Sequence, residues 1–317
     1  MGGKALLKLG IQVDRIPSRE LYEKLCDILV KDLRQYYARV EALPQFSTKK
    51  TFGDIDILVE GEQIKPFTPQ YFVRNGDYLS FGYSYKEYTF QVDLIHVQAS
   101  TFDFAMMNLF SDMSACIGGI LKLYDLKFSH DGLWYIGQDI SQKLLLTTSV
   151  DTFLSFLQLP APFPFDVKSH DEFFGYLLTS RFPVAEFIMS RYSNDKLKQK
   201  SKNFKNQREC FVKFVEYIVA NHHMTTTFSR LSSRELVAFF GVDVLREYDR
   251  RVYEHTFNRE YHAKFNGKIV MKFRQELREK QVGTFMKHFE ETFTKQEIMS
   301  MDEETLYAKI RDLKHIT

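Results

Sequence analysis

The segment Lys49–Gly61, KKTFGDIDILVEG, most constrains the fold because it places two acids at the start of an otherwise apolar strand. Side chains alternate between the two faces of a strand, so Asp54 and Asp56 point the same way, about 7 Å apart along the backbone. Ile55 and Ile57 point the other way and can be buried. Two carboxylates this close raise each other's pKa unless a cation lies between them. The pattern is typical either of a divalent-metal site or of a solvated loop and strand edge.

Composition limits the class of protein. The 317 residues are 44% hydrophobic and 26% charged, with a net charge of +2, which is typical of one large or two ordinary globular domains. Any nucleic-acid surface must come from local clusters of basic residues, because the chain is not basic overall. No stretch approaches the ~20 apolar residues of a membrane span, so we expect no membrane partner.

The cysteines indicate a reducing environment. Cys26, Cys116 and Cys210 are widely spaced, odd in number and without a C-x-x-C pair. This usage argues against a disulfide framework and against a zinc knuckle. The sequence therefore favours the cytoplasm or another reducing intracellular compartment.

Periodicity predicts a mixed first part of the chain. Apolar residues at helical spacing predict a helix over residues 18–42, with Ser18 as its N-cap. Three runs rich in β-branched and aromatic residues then predict strands: TFGDIDILVE, DYLSFGYSY and EYTFQVDLIHV. Turns are expected at Asn75–Gly76 and at Tyr85–Glu87. Residues 101–125 return to helical spacing.

The pattern becomes helical after a proline-rich segment. Residues 126–137 predict a hairpin, and LPAPFPF (159–165) predicts a linker or a rigid turn. Helical spacing follows at 169–180, 183–191, 205–221, 231–240, 243–264 and 282–296. We therefore predict an α+β fold in which a mixed sheet with flanking helices (1–145) is followed by a mostly helical domain (146–317).

A third acid lies in the strand EYTFQVDLIHV. Asp93 is flanked there by Val92 and Leu94. Because a predicted hairpin precedes this strand, it can lie beside the strand of the two earlier acids. Three carboxylates on neighbouring strands are what a two-metal phosphoryl-transfer site requires, and Mg²⁺ prefers such oxygen ligands together with phosphates.

Phosphates also need donors from the protein. Glycine lets backbone N–H groups approach a phosphate closely, and lysine or arginine supplies charge. The candidates are Gly2, Gly3, Lys4, Arg15, Lys49, Lys50 and Gly53. The alternative for each basic residue is a solvated surface charge.

The order of these motifs resembles the DNA polymerase β-type nucleotidyltransferase superfamily. Its members carry a glycine-rich phosphate turn, a D-x-D strand and a later single Asp, matched here by Gly2-Gly3, FGDIDILV and FQVDLIHV. The resemblance implies a nucleotidyltransferase-like sheet in which Asp54, Asp56 and Asp93 are catalytic and bind two Mg²⁺ ions, with Mn²⁺ as a substitute. The chain departs from the family pattern where Gly3 or Lys4 replaces Ser and a helix separates the glycines from the D-x-D.

This resemblance implies that the protein transfers NMP from an NTP to a hydroxyl group and releases pyrophosphate. ATP and CTP are the nucleotides we expect. An RNA 3′ end is the acceptor we expect. Two alternatives stay open: a toxin-type nucleotidyltransferase that modifies tRNA or protein, and a catalytically silent RNA-binding scaffold.

The helical part suggests RNA contact in two ways. A basic run over 191–213 can bind phosphates through Arg191, Lys196, Lys198, Lys200, Lys202, Lys205 and Arg208, or it is a solvated connection. The segment 264–289 resembles the tail of tRNA nucleotidyltransferase helical domains. The resemblance implies that an apolar segment with Gly267 leads to Gly283, which opens a helix.

A further glycine pair, Gly118–Gly119, lies within helical spacing. It allows close backbone approach, either to a nucleotide or to a neighbouring element. We favour packing as its role.

Overall fold

The computed structural model describes residues 5–61, 64–110, 113–192, 209–221 and 231–313. The backbone groups into two compact units. One is Met1–Gly137 with Lys143–Leu245, and the other is Gln138–Gln142 with Arg246–Thr317. The predicted division at residues 145 and 146 stays a prediction.

A five-stranded mixed sheet belongs to the first unit. Its strands are β1 (Val40–Ala42), β2 (Ile55–Glu60), β3 (Phe72–Asn75), β4 (Tyr78–Tyr85) and β5 (Tyr88–Val97). They lie in the order β1-β2-β5-β4-β3, with β2 and β5 parallel and the other neighbours antiparallel. The α+β class with a mixed sheet is confirmed, and the third acidic strand does lie beside the first.

Helix α1, Arg19–Leu33, packs on one face of this sheet. Ser18 is its N-cap, as predicted, and its hydroxyl accepts a hydrogen bond from the Leu21 N–H at 3.3 Å. The core on this face includes Leu25, Leu29, Ile55, Ile57, Val92 and Leu94. Each such side chain contributes about 1.5–3 kcal/mol of transfer free energy when fully buried.

The predicted helix over residues 18–42 is wrong beyond Leu33. The N–H groups of Tyr36 and Tyr37 both turn back to the Leu33 carbonyl, at 2.8 and 3.1 Å. The chain then forms β1, which pairs antiparallel with β2. Strand β2 offers an open edge whose backbone groups need partners, and β1 satisfies them. That partner lies far along the chain, so local periodicity does not reveal it.

Helix α2, Phe102–Leu109, packs on the opposite face. The core there contains Leu43, Leu58, Ile95, Val97, Phe102, Ala105 and Met106. The single helix predicted over 101–125 is instead α2 followed by α3, Met113–Leu123. Phe110 leaves the helical conformation, with ψ 119°, and its buried ring contacts Phe46 and Phe163.

The described part of the first unit also contains a three-stranded antiparallel sheet. It consists of β6 (Leu126–Ser129), β7 (Gly132–Tyr135) and β8 (Leu144–Thr147). The hairpin predicted over 126–137 is confirmed as β6 and β7. In the LPAPFPF segment Leu159 and Phe163 are buried, and the residues on both sides of it belong to the first unit.

The remaining helices of this unit are short. They are α4 (Val150–Leu157), α5 (His170–Leu178), α6 (Val184–Tyr192), α7 (Glu209–Asn221) and α8 (Ser233–Ala238). These helices confirm, with shifted ends, the predictions over 169–180, 183–191 and 231–240. They also confirm the described part of the helix predicted over 205–221.

Helices make up the rest of the described chain. They are α9 (Val242–Lys264), α10 (Gly267–Phe273), α11 (Glu279–Thr292), α12 (Lys295–Ser300) and α13 (Glu303–Asp312). The helix predicted over 282–296 begins earlier and stops at Thr292. Thr294 ends it because its hydroxyl caps α12 and its N–H bonds to Glu297 at 2.7 Å.

Cys26, Cys116 and Cys210 are free thiols in the interior. Among the residues described, no single helix is both long enough and apolar enough to cross a membrane. Ala99–Leu109 and Met113–Leu123 meet that test only as a pair bent by 98°.

Candidate metal centre

Three carboxylates meet on the five-stranded sheet. Asp56 of β2 lies directly opposite Asp93 of β5 in the parallel register, and Asp54 comes just before β2. One carboxylate oxygen from each lies within 4.8 Å of the others, and all three residues are half-buried. The structure therefore brings together the three acids that the sequence singled out.

Asp56 and Asp93 lie on one face of the sheet, between two stretches of that face that other elements cover. On one side of them the same face continues with Leu58 and Ile95, which lie in the core under α2. On the other side it continues with Gln91 and Gly82, which an N-terminal 3₁₀ turn, Ala5–Leu9, contacts. We call residues 5–9 the N-terminal segment. The three carboxylates are half-buried between these two covered regions.

The turn that leads to Asp54 is fixed through Phe52. The backbones of Phe52 and Ile16 exchange two hydrogen bonds, of 2.9 and 3.1 Å. The Phe52 ring stacks on Tyr22 with the ring centroids 3.9 Å apart. Burial raises the pKa of Tyr22, which keeps its phenol neutral near the acids. Gly53 alone separates this fixed residue from Asp54.

Asp93 is held by hydrogen bonds from polar side chains of β4 and β5. The Gln91 Nε2 donates to both of its carboxylate oxygens, at 2.9 and 3.0 Å. Burial raises the pKa of Asp93, and the nearby Asp54 raises it further, while hydrogen bonds from Ser80 and Gln91 oppose the shift. The two donors stabilise the anion at a position where burial disfavours charge.

Gln91 is itself held by the N-terminal segment. Its side chain is buried, with the residue only 2% exposed, and its Oε1 accepts a hydrogen bond from the Ala5 N–H at 3.0 Å. Leu6 is fully buried beside Gly82. Further along, the Thr89 N–H donates to the Asp14 carboxylate at 2.9 Å. Residues 5–14 therefore contact β5, which carries Asp93, and its neighbour β4.

This arrangement fits a hard divalent cation. Three anionic oxygens in one half-buried place repel one another, and a cation that all three share removes the repulsion. Carboxylate oxygens are the ligands that Mg²⁺ and Mn²⁺ accept. The donor set therefore suits Mg²⁺, with Asp54, Asp56 and Asp93 as the residues that would hold it.

The predicted phosphate donors are placed in different ways. Lys49 and Lys50 are both exposed. Lys49 Nζ donates to the Gln45 Oε1 at 2.7 Å and lies 5.1 Å from the centre of the Phe52 ring. Arg15 donates to the Thr51 hydroxyl at 3.1 Å. Gly2, Gly3 and Lys4 lie outside the described residues, and they directly precede Ala5 in the chain.

The residues predicted to bind RNA lie at the end of α6 and beyond it. Arg191 belongs to α6, but its side chain is not among those described. Lys196, Lys198, Lys200, Lys202, Lys205 and Arg208 lie outside the described residues.

Of the two glycines in the 264–289 segment, one begins a helix. Gly267 is the first residue of α10, after Asn266, whose side chain accepts from the N–H groups of Lys268 and Ile269. Gly283 does not open a helix, because α11 already begins at Glu279.

Sequence reasoning missed Gln91 and Ser80. Both lie on the face of Asp93: Gln91 is two residues earlier on β5, and Ser80 is its cross-strand partner on β4. The signal was present in the alternation of FQVD, where a polar residue precedes the acid on the same face.

Comparison with protein-family models and with curated proteins gave no match for this chain.

Proposed function

We propose that this protein is a metal-dependent nucleotidyltransferase that transfers NMP from an NTP to a hydroxyl group and releases pyrophosphate. The observation that carries the proposal is the convergence of Asp54, Asp56 and Asp93, with oxygens within 4.8 Å of one another. Three carboxylates from two adjacent parallel strands are a suitable ligand set for phosphoryl transfer.

In the proposed reaction the acceptor oxygen forms a bond to the α-phosphorus, and the bond from that phosphorus to the bridging oxygen of the β-phosphate breaks. Mg²⁺, when bound, supplies charge neutralisation at the phosphates and lowers the pKa of the acceptor hydroxyl. Asp54 and Asp56 supply the anionic oxygens on β2. Asp93 supplies the third, and it would also accept the proton of the hydroxyl.

The substrate and the acceptor follow from the same proposal. ATP or CTP is the NTP we expect, and an RNA 3′ end is the acceptor, with the basic run after Arg191 as the surface for its phosphates. Protein or tRNA modification of the toxin type uses the same three carboxylates, so the acceptor has to be determined by experiment.

The test is incubation of purified protein with Mg²⁺, each labelled NTP in turn, and total RNA. Asp93→Asn is the inactive variant, because it keeps the shape of the side chain and removes its charge. Glu60→Gln is the matched control, since Glu60 lies on the same strand as Asp56 at the end away from the acids. Labelled RNA from wild type and Glu60→Gln, but not from Asp93→Asn, would support the proposal and identify the nucleotide.

Other results have distinct meanings. Label on protein in place of RNA would identify the toxin-type reaction. Salt-sensitive RNA binding with no transfer and no dependence on a divalent cation would contradict an enzyme and favour the silent scaffold.

A further inference from the structure

Gln91 joins two parts of the molecule that are distant in sequence. Its amide nitrogen donates to both oxygens of Asp93, and its amide oxygen accepts from the backbone N–H of Ala5, which is 86 residues away in the chain. The residue is 2% exposed, so water does not compete for either end of the amide.

Only one orientation of this amide satisfies both neighbours. The Asp93 carboxylate can only accept hydrogen bonds, and the Ala5 N–H can only donate. A rotation of the amide by 180° would place oxygen against carboxylate and NH₂ against N–H. Both pairs would then be lost at a buried position, where an unmade hydrogen bond is costly.

We propose that Gln91 is a positioning residue that fixes the Asp93 carboxylate for cation binding, with the N-terminal segment as its second anchor. This inference rests on the proposed function only in that it requires a divalent cation at the three acids. Carboxylate ligands of metals are commonly oriented by such outer partners, and loss of one costs about 10- to 100-fold in affinity or activity.

The anchor couples cation binding to the placement of the N-terminal segment. When Ala5 is in place, the Gln91 amide is held towards Asp93, and the carboxylate keeps one oxygen within 4.8 Å of oxygens of Asp54 and Asp56. When the segment is displaced, Gln91 loses the hydrogen bond from Ala5, and Asp93 alone then orients its amide. By linkage, a bound cation must in turn stabilise the docked segment.

The test measures Mn²⁺ binding to the purified 317-residue chain, without nucleotide, by electron paramagnetic resonance. Gln91→Leu removes both hydrogen bonds at nearly constant volume. Ala5→Pro removes only the N–H donor, at the first position of the 3₁₀ turn where proline is tolerated, and Ala5→Gly keeps that donor as the matched control.

We expect the Mn²⁺ dissociation constant to rise about 10- to 100-fold in Gln91→Leu. It should rise about fivefold in Ala5→Pro, the effect of one hydrogen bond, and stay unchanged in Ala5→Gly. In an active enzyme, Gln91→Leu should also raise the Mg²⁺ concentration for half-maximal rate and leave the KM for NTP at saturating Mg²⁺ unchanged. A purely structural glutamine would lower the melting temperature without these changes.

Unchanged Mn²⁺ affinity in folded Gln91→Leu or in Ala5→Pro would overturn the proposal, as would wild-type protein that binds no Mn²⁺. Should Gln91→Leu fail to fold, Ala5→Pro against Ala5→Gly decides the question, because both leave Gln91 and the acids intact. Cation binding that follows the expected order in a protein that transfers no nucleotide would refute the proposed reaction and leave the role of Gln91 standing.

Discussion

Asp56 and Asp93 lie directly opposite each other on the parallel strands β2 and β5. Neighbouring strands lie about 4.7–4.9 Å apart, and like charges directly opposite each other destabilise a sheet. Asp54 adds a third negative charge within 4.8 Å. This repulsion lowers the stability of the cation-free protein, and the first two predictions follow from that cost.

Replacement of Asp56 by Asn should stabilise the protein when no cation is present. Removal of one of three like charges should raise the free energy of unfolding by about 1 kcal/mol and the melting temperature by about 2–4 °C in EDTA. Mg²⁺ at 100 times its dissociation constant should stabilise the wild type by about 2.7 kcal/mol and leave Asp56→Asn unaffected. Calorimetry with and without Mg²⁺ measures both effects. Glu60→Gln should keep the Mg²⁺ response, and an Asp56→Asn protein less stable than wild type in EDTA would argue against the repulsion.

Cation binding should weaken in acid because of Asp93. Burial and the charge of Asp54 raise its pKa above the ordinary 3.8, so the folded protein binds this proton more readily than the unfolded chain does. Protonation of Asp93 therefore stabilises the folded, cation-free protein. This stabilisation is lost as the pH rises through the raised pKa and is regained as the pH falls back towards 3.8. Protons compete with Mg²⁺ over the same range. The Mg²⁺-dependent increase in melting temperature, followed downwards from about pH 7, should shrink in that window. An increase that stays constant down to pH 3.8 would show that Asp93 is not a ligand.

Replacement by alanine should change stability differently at Gly118 and Gly119, two neighbouring glycines of α3. A Cβ at Gly118 would meet no heavy atom of the described residues within 4 Å beyond its own helix backbone, whereas a Cβ at Gly119 would lie 3.0 Å from the Phe187 ring. Gly118→Ala should therefore stabilise the protein by about 0.5–1 kcal/mol through helix propensity. Gly119→Ala should be neutral or destabilising, as judged by denaturant titration. Equal gains from both would show that Phe187 moves aside at no cost.

Valine at Gly82 should release the N-terminal segment. A Cβ there would lie 3.3 Å from Thr89 Cγ2 and 3.6 Å from Leu6 Cδ1, so the larger side chain would displace Leu6. Hydrogen exchange should become faster in residues 5–14 and stay slow in β4 and β5. Ser84→Val places the same side chain on the same strand at an exposed position, and it should leave the segment protected. Protection that survives Gly82→Val would mean that Leu6 is not needed to hold the segment.

The sequence was informative where a pattern is local. The alternation around Asp54 and Asp56, and again around Asp93, predicted strands with acids on one face, and the structure contains both strands side by side. The end of α1 was not predictable in this way. Val40–Ala42 forms a strand only because β2 presents an edge to it, and periodicity within residues 18–42 carries no information about that partner.

The partners of Asp93 show the same limit. Gln91 could be placed on the correct face from spacing alone, but its acceptor contact with Ala5 depends on how the N-terminal segment crosses the sheet. Contacts of this kind arise from tertiary packing, which helix and strand propensities do not encode.

The hydrogen bond between Ala5 and Gln91 also has a consequence for biosynthesis. Ala5 can form its hydrogen bond only with Gln91, which is translated 86 residues later. Asp54 and Asp56 likewise meet Asp93 only after the same strand has been made. A growing polypeptide thus has its first helix early, while the acidic centre and the segment beside it assemble only after β5 has left the ribosome.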